Sequence, residues 1–333
     1  MSDAKRKYLV TGSSGHLGEG LVRTLRDLGR DAIGLDVLGG EYTSLVGSIV
    51  DRGLVARAMA GVTHVLHAAT LHKPHVATHG RQEFIDTNVT GTLNLLEEAV
   101  VAGVTSFVYT STTSVFGDAL IPAAGEPAAW ITEDVTPIPK NIYGVTKSAA
   151  EDLCQLFHRK QKLPCVVLPT SRFFPEEDDN AAVRAAYADA NIKAVEFLYR
   201  RVDVEDVVSA HLLAAERAPA IGFSKYIISA TTPFTRADLA ELRTDAPAVA
   251  RRRVPGYEAE FARRSWRMVP KIDRVYVNDR AREELGWRPR HDFSSLIERL
   301  RAGERDLRSP LAKLIGSKGY HAETFEHGPY PTE

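Results

Sequence analysis

Short apolar runs alternate with amphipathic ones over the first two thirds of the chain. Tyr8-Leu9-Val10 is an apolar run that ends in a glycine turn, and Gly20 to Leu28 then sets Leu21, Val22, Leu25 and Leu28 on one side of a helix. Ala32 to Leu35 reads as a second strand, stopped at Asp36. Thr63 to His67, Ser106 to Thr110, Cys165 to Leu168 and Lys225 to Ser229 read as further strands. Fully apolar strands separated by helices predict a parallel sheet covered on both faces, and right-handed crossovers make it doubly wound. The fold class expected is therefore α/β, a Rossmann-type doubly wound sheet with a smaller C-terminal substrate lobe. Residues 1–170 are assigned to the sheet domain, with 200–230 returning to it. Residues 171–199 and 231–315 are assigned to the lobe, and the polar stretch 316–333 to a surface tail.

Composition narrows the function. The 333 residues carry 42 Lys+Arg against 43 Asp+Glu, a net charge of −1, so electrostatics gives no reason to expect nucleic acid or a membrane as partner. No apolar run approaches the roughly 20 residues that span a bilayer. The two cysteines, Cys154 and Cys165, and the absence of a signal-peptide pattern at the start lead to an expected cytoplasmic location. The local exception is an arginine-dense stretch, Arg251 to Arg253 with Arg263, Arg264 and Arg267, which reads as a solvated helical face before it reads as an anion site.

The first strand runs into Thr11-Gly12-Ser13-Ser14-Gly15-His16-Leu17-Gly18 and then a helix. Gly12 permits the tight turn, Gly15 lets backbone approach a pyrophosphate, and Gly18 lets helix pack on strand. The helix N-terminus offers unpaired N–H groups and a positive dipole end. Gly12, Ser14, Gly15, His16, Leu17 and Gly18 are thus candidate cofactor contacts. Asp36, closing the second strand with no arginine after it, can accept from ribose hydroxyls and repels a 2′-phosphate, so NAD is expected over NADP.

Tyr143-Gly144-Val145-Thr146-Lys147 is the second anchor. Residues at i and i+4 share a helix face, so phenol and ammonium can meet in one site. A free phenol ionises near pH 10, and a neighbouring cation brings that value down towards working range. Thr110 to Ser114 end another strand at the expected crevice, where a hydroxyl can share a proton with Tyr143.

Together the TGxxGxxG turn, the strand-end acid, His67-Ala68-Ala69, Asn88, the hydroxyl-rich strand end before Val115-Phe116-Gly117, and YxxxK resemble the extended short-chain dehydrogenase/reductase family, the NAD-dependent epimerase/dehydratase group. Asp279 to Phe293 also resembles that family's C-terminal segment. The resemblance implies Thr112 as the catalytic hydroxyl, Tyr143 as the acid–base, and Lys147 as the ribose contact that lowers the tyrosine's pKa. It also implies that Ala68 and Ala69 line the dinucleotide, with Asn88 on the adenine side. Ser48, with Ile49 beside it, occupies the place of the family's adenine-contacting acid.

The family's dehydratases carry an Asp-Glu pair after the catalytic threonine, where this chain has Thr113 and Ser114; without a carboxylic acid there, dehydration is not expected. The leading reading is a sugar epimerase, whose substrate can carry a nucleotide. The alternative is a net NAD-dependent dehydrogenase or reductase of a non-nucleotide sugar, polyol or other small alcohol. A short acidic segment after Phe173 is a poor seat for a diphosphate and weighs towards the alternative. A third reading, a non-catalytic NAD(H)-binding protein, is opposed by the intact Thr112, Tyr143 and Lys147. His72, Thr113, Arg172 and Arg201 are the candidate substrate contacts. No metal is expected, since His72, His75 and His79 lack a nearby carboxylate until Glu83. A homodimer is expected through helices around residues 92–101 and 148–158.

Overall fold

The central strands carry unbroken apolar runs because both of their faces are covered. In the computed structural model, which describes residues 6–318, nine strands occur: β1 (Lys7–Thr11), β2 (Asp31–Asp36), β3 (Leu45–Val46), β4 (His64–His67), β5 (Ser106–Thr112), β6 (Ala129–Ile131), β7 (Cys165–Thr170), β8 (Phe223–Lys225) and β9 (Arg274–Tyr276). Seven form one parallel sheet in the order β3-β2-β1-β4-β5-β7-β8. The longest pairing aligns Phe107 with Cys165 and ends with Thr112 beside Thr170. Chain order reverses between β1 and β4, which places the crevice outside Thr11, Asp36, His67, Thr112 and Thr170.

Each face of the sheet buries its own cluster. On one, the helices His16–Asp27 and Val204–Ile221 press Leu21, Val22, Val207 and Ala214 onto Val10, Leu66 and Val166. On the other, helices Arg52–Ala58, Gly91–Ala102 and Ile142–Gln161 cover Leu9, Val65, Phe107 and Val167. A third cluster around Val195, Leu198, Val249, Phe261, Phe293 and Ile297 is the core of the smaller lobe.

Three segments depart from the expected division. Residues 128–131 leave the sheet domain, and β6 pairs in parallel with β9 in a small sheet of the lobe, with Ala128 in the lobe core. Ala281, Leu285 and Trp287 pack on the large sheet's helices instead, Trp287 Nε1 donating to Ser209 Oγ at 2.9 Å. The helix Pro310–Ile315 also returns to the sheet domain, lying against the helices His16–Asp27 and Val204–Ile221. Gly316 to Lys318, expected as surface tail, run on beside the glycine turn; the rest of that tail lies outside the described residues. The irregular stretch after Phe173 contains two short helices, Ala181–Ala186 and Asp189–Glu196, the first capped by Asn180.

Candidate active site

The glycine turn is glycine-rich for steric reasons that differ by position. Gly12 adopts φ +73°, and a Cβ there would fall 2.7 Å from the Ala69 nitrogen. At Gly18 a Cβ would fall 1.9 Å from the Gly12 carbonyl oxygen, so no larger residue lets the helix start so close to β1. A Cβ on Gly15 would meet only the Gly12 oxygen, at 3.3 Å, and Gly15 is exposed to the cavity. The protein itself does not need glycine there, whereas a backbone-hugging pyrophosphate would. That fits a dinucleotide cofactor.

Both oxygens of Asp36 brace the turn, Oδ2 accepting from Ser14 N and Oδ1 from Leu38 N, each at 2.9 Å. Each oxygen can accept a further bond, and Asp36 lines the cavity. Gly12, Ser14, Gly15, His16, Leu17, Gly18, Ser48, Ile49, Ala68 and Ala69 line the same space, about 1120 Å³ in volume. The His16 imidazole is held below its usual pKa by burial, against the pull of Glu176 at 3.4 Å, and its Nε2 accepts from Lys318 N at 3.2 Å.

Asn88 does not line the cavity. It is 2% exposed and its amide is spent on Leu71, Thr70 and Thr146, with contacts of 2.8 to 3.0 Å. The expectation of an adenine-side contact is therefore corrected: Asn88 ties the loop after β4 to the helix Ile142–Gln161 from behind the wall.

Thr112, Tyr143 and Lys147 come together at the end of β5, all buried and all facing the cavity. Asn141 caps the helix that carries the last two, accepting from Gly144 N at 3.1 Å. Burial pushes the Tyr143 phenol up to about 12, and the neighbouring Thr112 hydroxyl opposes that. Thr112 Oγ1 accepts from Ser114 N at 3.1 Å, which leaves its own proton to donate to Tyr143. Lys147 Nζ donates to Thr110 O at 2.6 Å and lies 4.1 Å from the centroid of the Tyr109 ring. Burial lowers this ammonium to about 7. In the protein alone desolvation dominates the phenol, the influence opposing it is that of Thr112, and the Lys147 cation is held by a carbonyl.

Of the residues expected as substrate contacts, His72, Thr113 and Arg172 line the cavity. Arg172 Nη1 pairs with Asp178 at 3.1 Å, and Lys73 with Asp179 at 2.7 Å, so two cations of the cavity wall are paired with the acidic segment. Arg201 does not line it. It is 5% exposed, paired with Glu196 at 2.7 Å and donating to Phe174 O at 3.1 Å, while its neighbour Arg200 faces the cavity. Arg274 and Tyr276, on β9, form part of the wall and were not foreseen. They follow a strand-like alternation, Arg274-Val275-Tyr276, with no motif to mark it. The Nε of Arg274 is buried with no hydrogen-bond partner among the described residues.

Among the described residues no group of three or more His, Cys, Asp or Glu is placed to hold a metal ion, and no helix is long and apolar enough to cross a membrane. The arginine-dense stretch is largely paired: Arg251 with Glu258, Arg252 with Glu241, Arg253 with Asp238, and Arg263 and Arg264 with Glu260.

Comparison with known proteins agrees with this geometry. The model of the NAD-dependent epimerase/dehydratase family matches residues 8–226. The chain is similar to a dTDP-glucose 4,6-dehydratase of Streptomyces antibioticus, 29% identical over 347 residues that cover 92% of this chain and 95% of that protein. It is also similar to the UDP-glucose 4-epimerase of Erwinia amylovora, 30% identical over 164 residues, 44% of this chain and 46% of the epimerase. The chain thus spans about half the length of several curated relatives it matches. Among solved structures, a short-chain dehydrogenase/reductase superfamily protein from Agrobacterium tumefaciens with bound NAD superposes with a TM-score of 0.63, covering 90% of this chain and 98% of that one at 23% identity, a likeness of fold. Matched from Tyr8 in β1 to Tyr226 just past β8, the chain belongs to the NAD-dependent epimerase/dehydratase family, and NAD is its cofactor.

Proposed function

We propose that the protein is a hydride-transfer enzyme acting on a secondary hydroxyl of a sugar, with net epimerisation as the leading outcome. The observation that carries this reading is the convergence of Thr112, Tyr143 and Lys147 on one cavity, the same one that the glycine turn lines. Bound NAD supplies a hydride acceptor and, for epimerisation, the donor that returns the hydride. Gly15, the helix start at His16 and Asp36 would hold it, with Ala68, Ala69, Ser48 and Ile49 along its sides.

Tyr143 receives the substrate's hydroxyl proton and gives it back. Thr112 donates to the phenolate as it forms, because Ser114 N–H already occupies its acceptor side. Lys147, when charged, supplies a positive field that opposes the desolvation of the phenolate. Removing the substrate's hydration shell strengthens each of these contacts. Thr113 and Ser114, both hydroxyls, follow Thr112, so no acid adjoins it to expel a leaving hydroxyl, which disfavours dehydration.

A second reading, net oxidation or reduction of a small non-nucleotide sugar or polyol, is favoured by one observation. The Lys73–Asp179 and Arg172–Asp178 pairs engage two cations of the cavity wall that a nucleotide's diphosphate would otherwise use. A cytoplasmic homodimer belongs to the same proposal; Val100, Val101, Val145 and Leu156 are exposed on the two helices that would meet. Denaturing the purified protein and assaying released NAD(H) separates the readings. Stoichiometric, non-exchanging cofactor supports the epimerase. Cofactor-free protein that reduces added NAD with one member of a panel of sugars and polyols supports the dehydrogenase, and neither result under any condition refutes both.

A further inference from the structure

Glu151 lies one helical turn beyond Lys147, so the two share a face of the helix Ile142–Gln161. Glu151 is 1% exposed and Lys147 2%. A carboxylate so deep requires compensation, and both of its oxygens are engaged. One pairs with Lys225 Nζ on β8 at 2.7 Å, and the other accepts from Ser111 Oγ on β5. Ser111 stands between Thr110, whose carbonyl holds Lys147, and Thr112, whose hydroxyl answers Tyr143. One carboxylate therefore grips the strand segment that presents both partners of the acid–base pair.

The groups facing Lys147 come from several elements. On its own helix are Tyr143, Glu151 and Cys154; β4 brings His67, β5 Tyr109, β7 brings Cys165 behind Cys154, and β8 brings Lys225 behind Glu151. Burial pushes the Tyr109 phenol and the Cys154 thiol up, away from ionisation, and keeps His67 neutral between Thr11 and Thr92. Among these described groups, Glu151 is the carboxylate.

We propose that Glu151 is a positioning residue for the acid–base site: it keeps Lys147 charged inside a desolvated pocket and, through Ser111, fixes the strand that carries the Thr110 carbonyl and the Thr112 hydroxyl. This rests on the reading of Lys147 as the tyrosine's partner. The direction follows from electrostatics: removing the negative charge withdraws an attraction felt only by the ammonium, so Lys147 loses its proton at lower pH. Removing Lys225 leaves Glu151 facing one cation fewer and strengthens its hold on Lys147.

The test needs no substrate. Cofactor-free protein is labelled with acetic anhydride across a pH series, and modification of the Lys147 peptide is quantified by mass spectrometry, with exposed Lys160 as internal reference. Glu151→Gln is expected to move the Lys147 midpoint down by about one pH unit, and Lys225→Met to move it up. The pH at which NADH affinity falls, read by fluorescence, is expected to move with it. Unchanged midpoints, or shifts of both variants in the same direction, overturn the proposal. Should Glu151→Gln fail to fold, Lys225→Met decides alone: an upward shift supports, and no shift or a downward one overturns. If the midpoints shift as expected but Tyr143→Phe leaves hydride transfer intact, the coupling stands and the catalytic reading fails.

Discussion

The ammonium of Lys147 donates to the carbonyl oxygen of Thr110 at 2.6 Å. Two residues further along β5, Thr112 meets the phenol of Tyr143. A single strand end therefore positions both the cation and the hydroxyl of the site, and the i, i+4 spacing on the facing helix brings tyrosine and lysine to it.

The two glycines of the turn have separable roles. Gly18→Ala drives a methyl into the Gly12 carbonyl, and overpacking of this kind costs about 1–3 kcal/mol. A lower melting temperature is expected. Gly15→Ala meets only a 3.3 Å contact, so its melting temperature is expected to stay near wild type while NADH affinity, followed by fluorescence, drops at least tenfold. Equal NADH affinity in Gly15→Ala and wild type contradicts the placement of the pyrophosphate.

Glu196 anchors the lobe to the sheet through charge. Burial pushes its carboxyl up, but Arg200, Arg201 and Arg172 outweigh that and hold it at about 2. An unfolded glutamate titrates near 4.3, so this network stabilises the fold above that value and the stabilisation is lost as pH falls towards 2. Glu196→Gln leaves the buried Arg201 guanidinium without its carboxylate partner, a loss of about 3–5 kcal/mol at neutral pH. In thermal melts the gap between wild type and variant is expected to narrow between about pH 5 and pH 3; a gap that stays constant with pH locates the effect elsewhere.

Arg274 reaches the cavity with an unpartnered Nε. Arg274→Met is expected to raise KM for the accepted substrate by about tenfold, equivalent to about 1.4 kcal/mol, with NADH binding unchanged. A variant with unaltered KM removes Arg274 from the substrate wall.

Ile315, 5% exposed, packs near Gly20 and Val208 and secures the C-terminal helix to the helix that starts at the glycine turn. Ile315→Ala is expected to cost about 2–5 kcal/mol in chemical denaturation. A loss within error of zero shows that this helix is not part of the cooperative fold.

Much of the site was legible because its parts are local. Gly12, Gly15 and Gly18 belong to one turn, Tyr143 and Lys147 to one helical face, and Thr112 to the end of an apolar strand. The lobe was less so. β6 and β9 are three-residue strands whose partners, Ala129 and Arg274, lie far apart in the chain, and an alternation so short does not set Arg274 and Tyr276 apart. Adjacent arginines were equally opaque: Arg200 and Arg201 both pair with Glu196, and only packing decides which one also faces the cavity. Asn88 carries the residue type that the family resemblance marks, yet its amide is consumed by Leu71 and Thr146. Glu151 is invisible without the sheet, because Lys225 and Ser111 reach it from two different strands.

The most direct test is hydride transfer by Tyr143→Phe. With NAD supplied and the substrate found by the sugar panel, turnover is expected to fall at least a thousandfold while NADH affinity stays within about threefold of wild type. Near-normal turnover in Tyr143→Phe would contradict the assignment of Tyr143 as the acid–base and, with it, the proposed chemistry.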